Sequence, residues 1–407
     1  MTHADSNNND PGHDRLAGLP GLAVVANSPA PYRVALHQAL ADGIPEFRFV
    51  SVFTHGAADF DWALNLPESI GPVVLAEQGE SPAALGWKHP RKERARAHRL
   101  LHELNQRNVK AVVMHGYNYP HYLLMLRRLQ QAGVPVFLRG DSNALAEVDV
   151  SPAKAFLKHR VMSFVRKRIH GVLPVGSAGE DYFKAYGFDP QRMWRVPFTP
   201  DYHRWAHPDP RKVQELSERF DLGHGRNRIL FMGRLTQVKR VDVLIDAFAR
   251  IAQERPDWEL VIAGKGELED DLKRRVPDEL RARVRFVGFL NVDELSALCG
   301  HAGLMCLPSD YEPWALVVNE ALSAGLGVIT SDVVGAAADL VEPGVNGDRF
   351  PRGDVSALAD RLRHWTAPGM ADKASQGSRE VLDRWRSTWD PVNGLRAALA
   401  DAGVLSG

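Results

Sequence analysis

The stretch RILFMGRLTQVKRVDVLIDAF, residues 228–248, contains the signals of a strand, a loop and a helix in succession. An apolar run stops at Gly233, and the segment VDVLIDAF then repeats its apolar residues at helical spacing. Apolar runs of about four to seven residues without alternation are typical of strands buried on both faces, as in parallel sheets. The stretch therefore predicts one strand-helix unit of a parallel α/β fold.

The same unit recurs along the whole chain. Short apolar, β-branched runs alternate with longer helical patterns. The predicted strands are 22–27, 47–53, 73–76, 111–116, 135–140 and 171–176 in the first half, and 228–233, 259–264, 284–289, 303–308 and 327–332 in the second. Two such series predict two Rossmann-like, doubly wound α/β domains that face each other across a cleft.

The length of 407 residues also favours two domains, because it exceeds what one hydrophobic core usually supports. Prolines and aspartates cluster without periodicity over residues 198–212, which indicates the linker. The predicted units are a disordered tail (1–20), an N-terminal Rossmann-like domain (21–200), a C-terminal Rossmann-like domain (205–375) and a helical segment (376–407) that can pack back on the N-terminal domain.

Composition excludes several classes of protein. Fifty basic side chains balance fifty acidic ones, so no global charge attracts nucleic acid. The cysteines, Cys299 and Cys306, do not make a disulfide framework, which favours the cytoplasm. Residues 16–30 could pass for a signal-peptide core. However, no lysine or arginine precedes Arg15, so a polar tail before a first buried strand is the preferred interpretation.

Two cations follow the strand that ends at Gly233. Arg234 comes next, and Lys239 stands where the following helix begins. A guanidinium and an ammonium beside a helix N-terminus favour a diphosphate site, although solvated loop cations are the alternative. Gly264 and Gly266 form a second glycine loop without the third glycine of a dinucleotide fingerprint, and they predict a close approach of backbone.

The segment YEPWALVVNEALSAG, residues 311–325, carries two glutamates eight positions apart. Glu320 lies on a helix predicted to begin near Ala315, and Glu312 precedes it, so a rise of about 1.5 Å per residue separates them by about 12 Å. That span suits a ribose at one end and a sugar at the other, with backbone N–H groups meeting the phosphates. A surface helix with an acidic start is the alternative.

The segment GRLTQVK, the E-x7-E pair and the following AGLGVITSDVVG together resemble the retaining glycosyltransferases of family 4, which have the GT-B fold. The resemblance implies sugar transfer from a UDP- or GDP-type donor with retained anomeric configuration, without a further cofactor or a metal. It implies that Arg234 and Lys239 hold the diphosphate, that Glu312 contacts the donor sugar and that Glu320 contacts the ribose. The further donor contacts implied are Gly233, Gly264, Gly266, Gly288, Phe289, Trp314, Ala315, Leu316 and Val317.

Four residues of the first half complete the predicted site. Tyr32 and Arg33 follow the first strand, and the resemblance makes their loop part of the acceptor site. His115 closes the strand AVVMHG and matches the family histidine that approaches the donor sugar, with a purely structural role as the alternative. Asp141 is a further candidate contact to the acceptor, which is expected to be a sugar, a lipid-linked molecule or another small molecule.

Some features leave other functions open. Pro313 and Ala315 stand where the family often has glycines, which affects the expected choice of donor sugar. A sugar-nucleotide binding protein without turnover and a nucleotide-sugar epimerase are the two alternative functions. Residues 154–170 predict a core-facing amphipathic helix with a basic face, and contact with anionic lipid at the inner membrane face is the alternative there.

Overall fold

A computed structural model describes residues 18–56, 66–76, 86–146, 151–223 and 225–405. Nearly all of the predicted disordered tail, residues 1–17 of 1–20, lies outside the described residues. Each of the eleven predicted strands overlaps a strand of the structure.

The first sheet contains six parallel strands in the order β3-β2-β1-β4-β5-β6. They are β1 (Gly21–Ala26), β2 (Arg48–Phe53), β3 (Val73–Val74), β4 (Val109–His115), β5 (Val136–Gly140) and β6 (Gly171–Pro174). Successive side chains of β1 enter different core clusters, with Val25 in one and Val24 in the other. The sheet is therefore buried on both faces, as its unbroken apolar runs predict.

The second sheet repeats this arrangement, in the order β12-β11-β10-β7-β8-β9. Its strands are β7 (Arg228–Met232), β8 (Glu259–Ala263), β9 (Val284–Gly288), β10 (Leu304–Leu307), β11 (Gly327–Ser331) and β12 (Gly347–Phe350). The strand β12 was not predicted, because Asp348 and Arg349 interrupt its apolar pattern. Asp348 is nevertheless buried, and it accepts a hydrogen bond of 2.8 Å from Trp365 Nε1.

Helices cover the faces of both sheets. Those of the first half are α1 (Pro31–Gly43), α2 (Pro90–Gln106), α3 (Pro120–Gln131), α4 (Pro152–Arg166) and α5 (Ser177–Ala185). Those that follow are α6 (Tyr202–Ala206), α7 (Pro210–Phe220), α8 (Val241–Ile251), α9 (Glu269–Arg275), α10 (Val292–Cys299), α11 (Leu316–Ser323), α12 (Ala337–Leu340), α13 (Val355–Trp365), α14 (Met370–Thr388) and α15 (Pro391–Asp401). Within the described part of the chain, no helix is both long and apolar enough to cross a bilayer.

The last helix, α15, returns to the first half of the chain. Its Leu395 and Leu399 belong to the same buried cluster as Leu36 of α1. Arg396 reinforces this contact by donating to both carboxylate oxygens of Glu46, at 2.5 and 2.9 Å. The C-terminus thus ties the two halves of the chain together.

Both sheets place the functional candidates at equivalent points. In each sheet the strand order reverses beside the first strand, between β1 and β4 and between β7 and β10. Ligands of doubly wound folds bind at the carboxyl ends of the strands at such switch points. At the carboxyl ends of these four strands lie, in turn, Tyr32 and Arg33 in the first turn of α1, His115 as the last residue of β4, Arg234 and Lys239 after β7, and Glu312 after β10.

Candidate functional site

An ion pair joins the two switch-point loops of the second sheet. Lys239 closes the 3₁₀ turn Gln237–Lys239 after β7, and its Nζ donates to Glu312 Oε1. Ser309 Oγ donates to the same carboxylate oxygen at 2.8 Å. A backbone hydrogen bond of 2.8 Å from Asp310 N to Val238 O holds the loops side by side. Glu312 and Lys239, 73 positions apart, therefore form one preorganised polar group.

The backbone around Glu312 is anchored from both halves of the molecule. Gly335 N donates to Glu312 O at 3.2 Å. From the first half, the buried side chain of Asn143 donates to the carbonyl oxygens of Glu312 and Pro313, at 2.8 and 2.7 Å. The loop that carries Asp141 thus reaches across the cleft and fixes the loop that carries Glu312.

The helix after Glu312 begins as predicted. Ala315 precedes α11 with φ of 77°, a left-handed conformation that usually favours glycine. Leu316 and Val317 form the first turn, whose N–H groups make no intrahelical bond and can meet an anion. Trp314 is different, because its side chain is only 3% exposed and stacks on Trp385, with ring centroids 5.8 Å apart. Its side chain therefore connects helices, and its backbone is the part near the proposed ligand.

Glu320 faces a separate part of the cleft. It lines a cavity of about 580 Å³ with Leu316, Tyr32 and Arg33, which places residues of both halves around one space. Burial raises the pKa of Glu320 to about 8. The structure thus brings Glu320 to the predicted acceptor loop, whereas Glu312 pairs with Lys239. Arg234 is exposed in the loop that follows Gly233.

The glycines after β8 and β9 have an architectural explanation. A Cβ atom on Gly264, whose φ is 146°, would lie 1.8 Å from the carbonyl oxygen of Gly233, and one on Gly266 would lie 2.2 Å from that of Leu235. The close approach predicted from these glycines is therefore an approach to the neighbouring loop of the protein. Gly288 has φ of 74°, and the following residue, Phe289, is 54% exposed.

The predicted residues of the first half form a smaller pocket, of about 240 Å³, that is lined by Arg33, His115 and Asp141. Burial and the nearby Arg139 guanidinium hold the pKa of His115 well below its usual range, so its imidazole is neutral at physiological pH. Tyr32 packs edge-on against Phe198, with ring centroids 5.1 Å apart.

Sequence reasoning missed three residues that shape these sites. Ser309 orients the Glu312 carboxylate, Asn143 links the two halves, and the buried Arg139 lines the first-half pocket. Arg139 and Asn143 lie within two positions of Asp141, so a search of the whole strand-end loop would have included them. The hydrogen-bond partners of Asn143 could not be predicted from the sequence, because they lie about 170 positions away.

Two further features concern possible metal ligands and the exposed residues of α4. In the described ranges, no group of three or more histidine, cysteine, aspartate or glutamate side chains could hold a metal ion. The core-facing helix predicted for residues 154–170 is corrected near its start, because Phe156 and Leu157 of α4 are apolar but exposed, at 69% and 64%. The buried side of α4 consists of Met162 and Val165.

The two facing, doubly wound domains define the GT-B fold, and comparisons with known proteins agree. The structure of Anabaena Alr3699/HepE in complex with UDP and glucose superposes with a TM-score of 0.71 over 95% of this chain and 100% of that one, at 17% sequence identity. At this identity the likeness concerns the fold.

Comparisons of sequence match part of this chain. Residues 212–380 match the family model of glycosyl transferases group 1. Glycogen synthase from Mycobacterium tuberculosis is 37% identical over 39% of this chain and 38% of its own length. The amylovoran biosynthesis glycosyltransferase AmsK from Erwinia amylovora is 35% identical over 40% of this chain and 39% of its own. The chain thus spans less than half the length of these relatives.

Proposed function

We propose that this protein is a retaining glycosyltransferase that moves a sugar from a UDP- or GDP-type donor to an acceptor hydroxyl in glycan, polysaccharide or glycolipid synthesis. The observation that carries the proposal is the pairing of Lys239 with Glu312 at the switch point of the second sheet. The group 1 match supports it, because it includes both residues.

In the proposed reaction, Arg234 and Lys239 stabilise the charge that grows on the departing diphosphate, and no metal is required. Cationic and hydrogen-bonding groups that are held in place before the reaction usually supply the largest single contribution to catalysis. Glu312, oriented by Lys239 and Ser309, contacts hydroxyls of the donor sugar. Glu320 accepts hydrogen bonds from the ribose in the larger cavity.

The transfer takes place on one face of the donor sugar. The bond from the anomeric carbon to the diphosphate oxygen breaks while the acceptor oxygen bonds to the same face, and the acceptor proton passes to the departing diphosphate. Glu312 is not the nucleophile in this proposal; Lys239 and Ser309 orient its carboxylate so that it can bind hydroxyls of the donor sugar. Trapping a glycosyl adduct on Glu312 would contradict this mechanism.

The first-half pocket supplies the acceptor side of the proposal. Tyr32, Arg33 and Asp141 contact the acceptor, and His115 approaches the donor sugar as a neutral hydrogen-bonding group. The pocket and the Glu320 cavity share Arg33, so the two substrates would meet beside this residue.

The test combines binding with product analysis. Calorimetry with UDP, GDP and their sugar conjugates identifies the donor, and mass spectrometry then detects transfer to a panel of acceptors. Lys239→Met should lower kcat/KM by about 10²- to 10³-fold, the usual loss when one such donor is removed. Lys273→Met, at a surface pair with Glu269, is the matched control and should stay near the wild-type rate.

The same experiment separates the alternatives. Nucleotide binding without any product across the panel would favour a binding protein, an alternative motivated by Pro313 and by the left-handed Ala315. A changed sugar nucleotide in the absence of an acceptor would favour an epimerase. Wild-type nucleotide affinity in both Glu320→Ala and Lys239→Met would contradict the proposed donor site.

We further propose that α4 contacts an anionic membrane surface on the cytoplasmic side. Phe156 and Leu157 project from it into solvent, and Lys154 and Arg160 lie on the same exposed helix. Exposed apolar side chains among cations are typical of helices that lie at the lipid interface. Phe156→Ser with Leu157→Ser should reduce sedimentation with phosphatidylglycerol vesicles, whereas Val345→Ser, in the second half, should not; equal sedimentation would refute the contact.

A further inference from the structure

The first-half pocket contains a buried cation whose role the proposed reaction does not explain. Arg139 lies near the end of β5, and its side chain is only 3% exposed. Its Nε donates to Val196 O at 2.9 Å, and its guanidinium carbon lies 4.3 Å from the centre of the Phe198 ring. Its Nη2 is buried and, among the described residues, has no hydrogen-bond partner.

The charge of Arg139 also lacks a counter-ion at close range. Among the described residues, the carboxylate that acts most strongly on it is Asp141, through charge alone and without a hydrogen bond. Burial lowers the pKa of Arg139 to about 10, so the guanidinium stays charged at neutral pH. Burying a charge without a partner costs several kcal/mol, on the order of the stability of a small domain.

The surrounding groups leave the pocket with excess positive charge. Arg33 is a second cation of the wall, whereas Asp141 is the carboxylate that lines it. Two histidines stand behind, His37 and His115, with ring centroids 5.6 Å apart. Burial and Arg139 keep both neutral, and each has a buried Nε2 atom without a hydrogen-bond partner in the described part of the chain.

We propose that Arg139 and Arg33 bind an anionic group of the acceptor, a carboxylate or a phosphate. This inference rests on the proposed glycosyl transfer and names the acceptor class: a sugar or small molecule that carries a negative charge beside the hydroxyl that receives the donor sugar. A guanidinium fork binds two oxygens of such a group at once. The anion offsets the cost of burying Arg139, which a neutral acceptor cannot do.

The size of the pocket limits what can bind there. Its volume of about 240 Å³ is below the range of about 300–1,000 Å³ that is usual for sites of drug-sized ligands. One charged sugar unit or one phosphate therefore suits the pocket better than an extended chain. Because Arg33 also lines the Glu320 cavity, a bound anion would lie next to the donor.

A purely structural arginine makes a different prediction. Its contacts with Val196 and Phe198 would then be its whole role, and neutral and anionic ligands would bind this pocket equally. Calorimetry can separate the two accounts when the protein is saturated with UDP, and in parallel with GDP, so that the donor-site cations are occupied. The probes are glucose 6-phosphate, glucuronate and glucose.

The two anionic probes should bind at least about tenfold more tightly than glucose, and their ranking distinguishes phosphate from carboxylate. Arg139→Met should weaken the anionic probes by about tenfold or more and leave UDP and GDP affinity unchanged. Asp141→Asn, an exposed change that removes the one negative charge of the wall, should tighten them about threefold.

Equal binding of glucose and the anionic probes, or no binding of these probes, would overturn the inference. If Arg139→Met does not fold, Arg33→Met and Asp141→Asn decide it, and unchanged affinity in both would also overturn it. The proposed function has a separate readout. If the wild-type protein binds neither UDP nor GDP, that result counts against the donor site, whatever the acceptor probes do.

Discussion

The two halves of the cleft share one topology but satisfy their polar groups in different ways. In the second half, Lys239, Ser309 and Glu312 satisfy one another, and the glycine loops pack backbone against backbone. In the first half, His115 and Arg139 each keep a buried nitrogen without a protein partner among the described residues. The comparison indicates that the group formed by Lys239, Ser309 and Glu312 is organised before a ligand binds, whereas an acceptor anion, as proposed above, would complete the hydrogen bonds of the first-half pocket.

Two strand-end glycines with positive φ, one in each half, give the largest expected difference. Gly264→Ala should lower the free energy of unfolding by about 3 kcal/mol, because its methyl group would collide with the Gly233 carbonyl oxygen. Gly116, after β4, also has a positive φ, of 85°, but a Cβ there would meet nothing within 4 Å. Gly116→Ala should therefore cost only about 1 kcal/mol of backbone strain.

Urea unfolding of the two variants measures this difference. Equal losses of unfolding free energy would show that close backbone packing does not hold the loops of the second half. The proposed structural difference between the halves would then be wrong.

Glu320 differs from the paired Glu312 of the second half, because burial raises the pKa of Glu320 from the ordinary 4.5 to about 8. The folded protein keeps a proton there that the unfolded chain releases above about pH 4.5. This group's contribution to stability is therefore full below pH 4.5 and is lost as the pH rises through 8.

Glu320→Gln should remove that dependence. Between pH 5 and pH 8.5, the unfolding free energy of this variant should rise by about 1–2 kcal/mol relative to that of the wild type. A pKa shift corresponds to about 1.4 kcal/mol per unit, and the expected gain is smaller than this full value because part of the side chain meets solvent. Glu267→Gln, at an exposed loop position, provides the control for the change of charge. Parallel pH profiles for wild type and Glu320→Gln would contradict the raised pKa.

Asn143 tests whether the halves act together. Asn143→Ala removes both hydrogen bonds to the Glu312 loop, and we expect kcat/KM to fall by about tenfold, or about 1.4 kcal/mol, with little change in nucleotide affinity. Asn143→Asp keeps the volume but cannot donate, so it should behave like the alanine variant. Full activity in Asn143→Asp would show that volume, and not hydrogen bonding, matters here.

The smallest effect concerns Ala315. Ala315→Gly should raise the unfolding free energy by about 0.5 kcal/mol, because relief of the left-handed backbone slightly exceeds the added entropy of the unfolded chain. Ala249→Gly, inside α8, should instead lose about 1 kcal/mol. A loss at both positions, seen by thermal or urea unfolding, would mean that Ala315 is not strained.

Prediction succeeded where a single segment contains the information. Apolar runs located eleven strands, and the start of α11 beside Ala315 followed from a local pattern. The twelfth strand was missed because Asp348 is acceptable in a sheet only with Trp365 beside it, and that partner lies on another element. The roles assigned to Arg234, Glu312 and Glu320 remain predictions that the proposed experiments test.

The two series of parallel strands, and the residues at their carboxyl ends, can be predicted from local sequence, because burial on both faces and loop chemistry depend on neighbouring positions. Which of these residues meet depends on how the elements pack. The packing pairs Lys239 with Glu312, brings Asn143 to the Glu312 loop and leaves one buried nitrogen of Arg139 without a hydrogen-bond partner among the described residues. The physical reason is that hydrogen bonds and ion pairs depend on distances between atoms, and strand order, which no local pattern records, sets those distances.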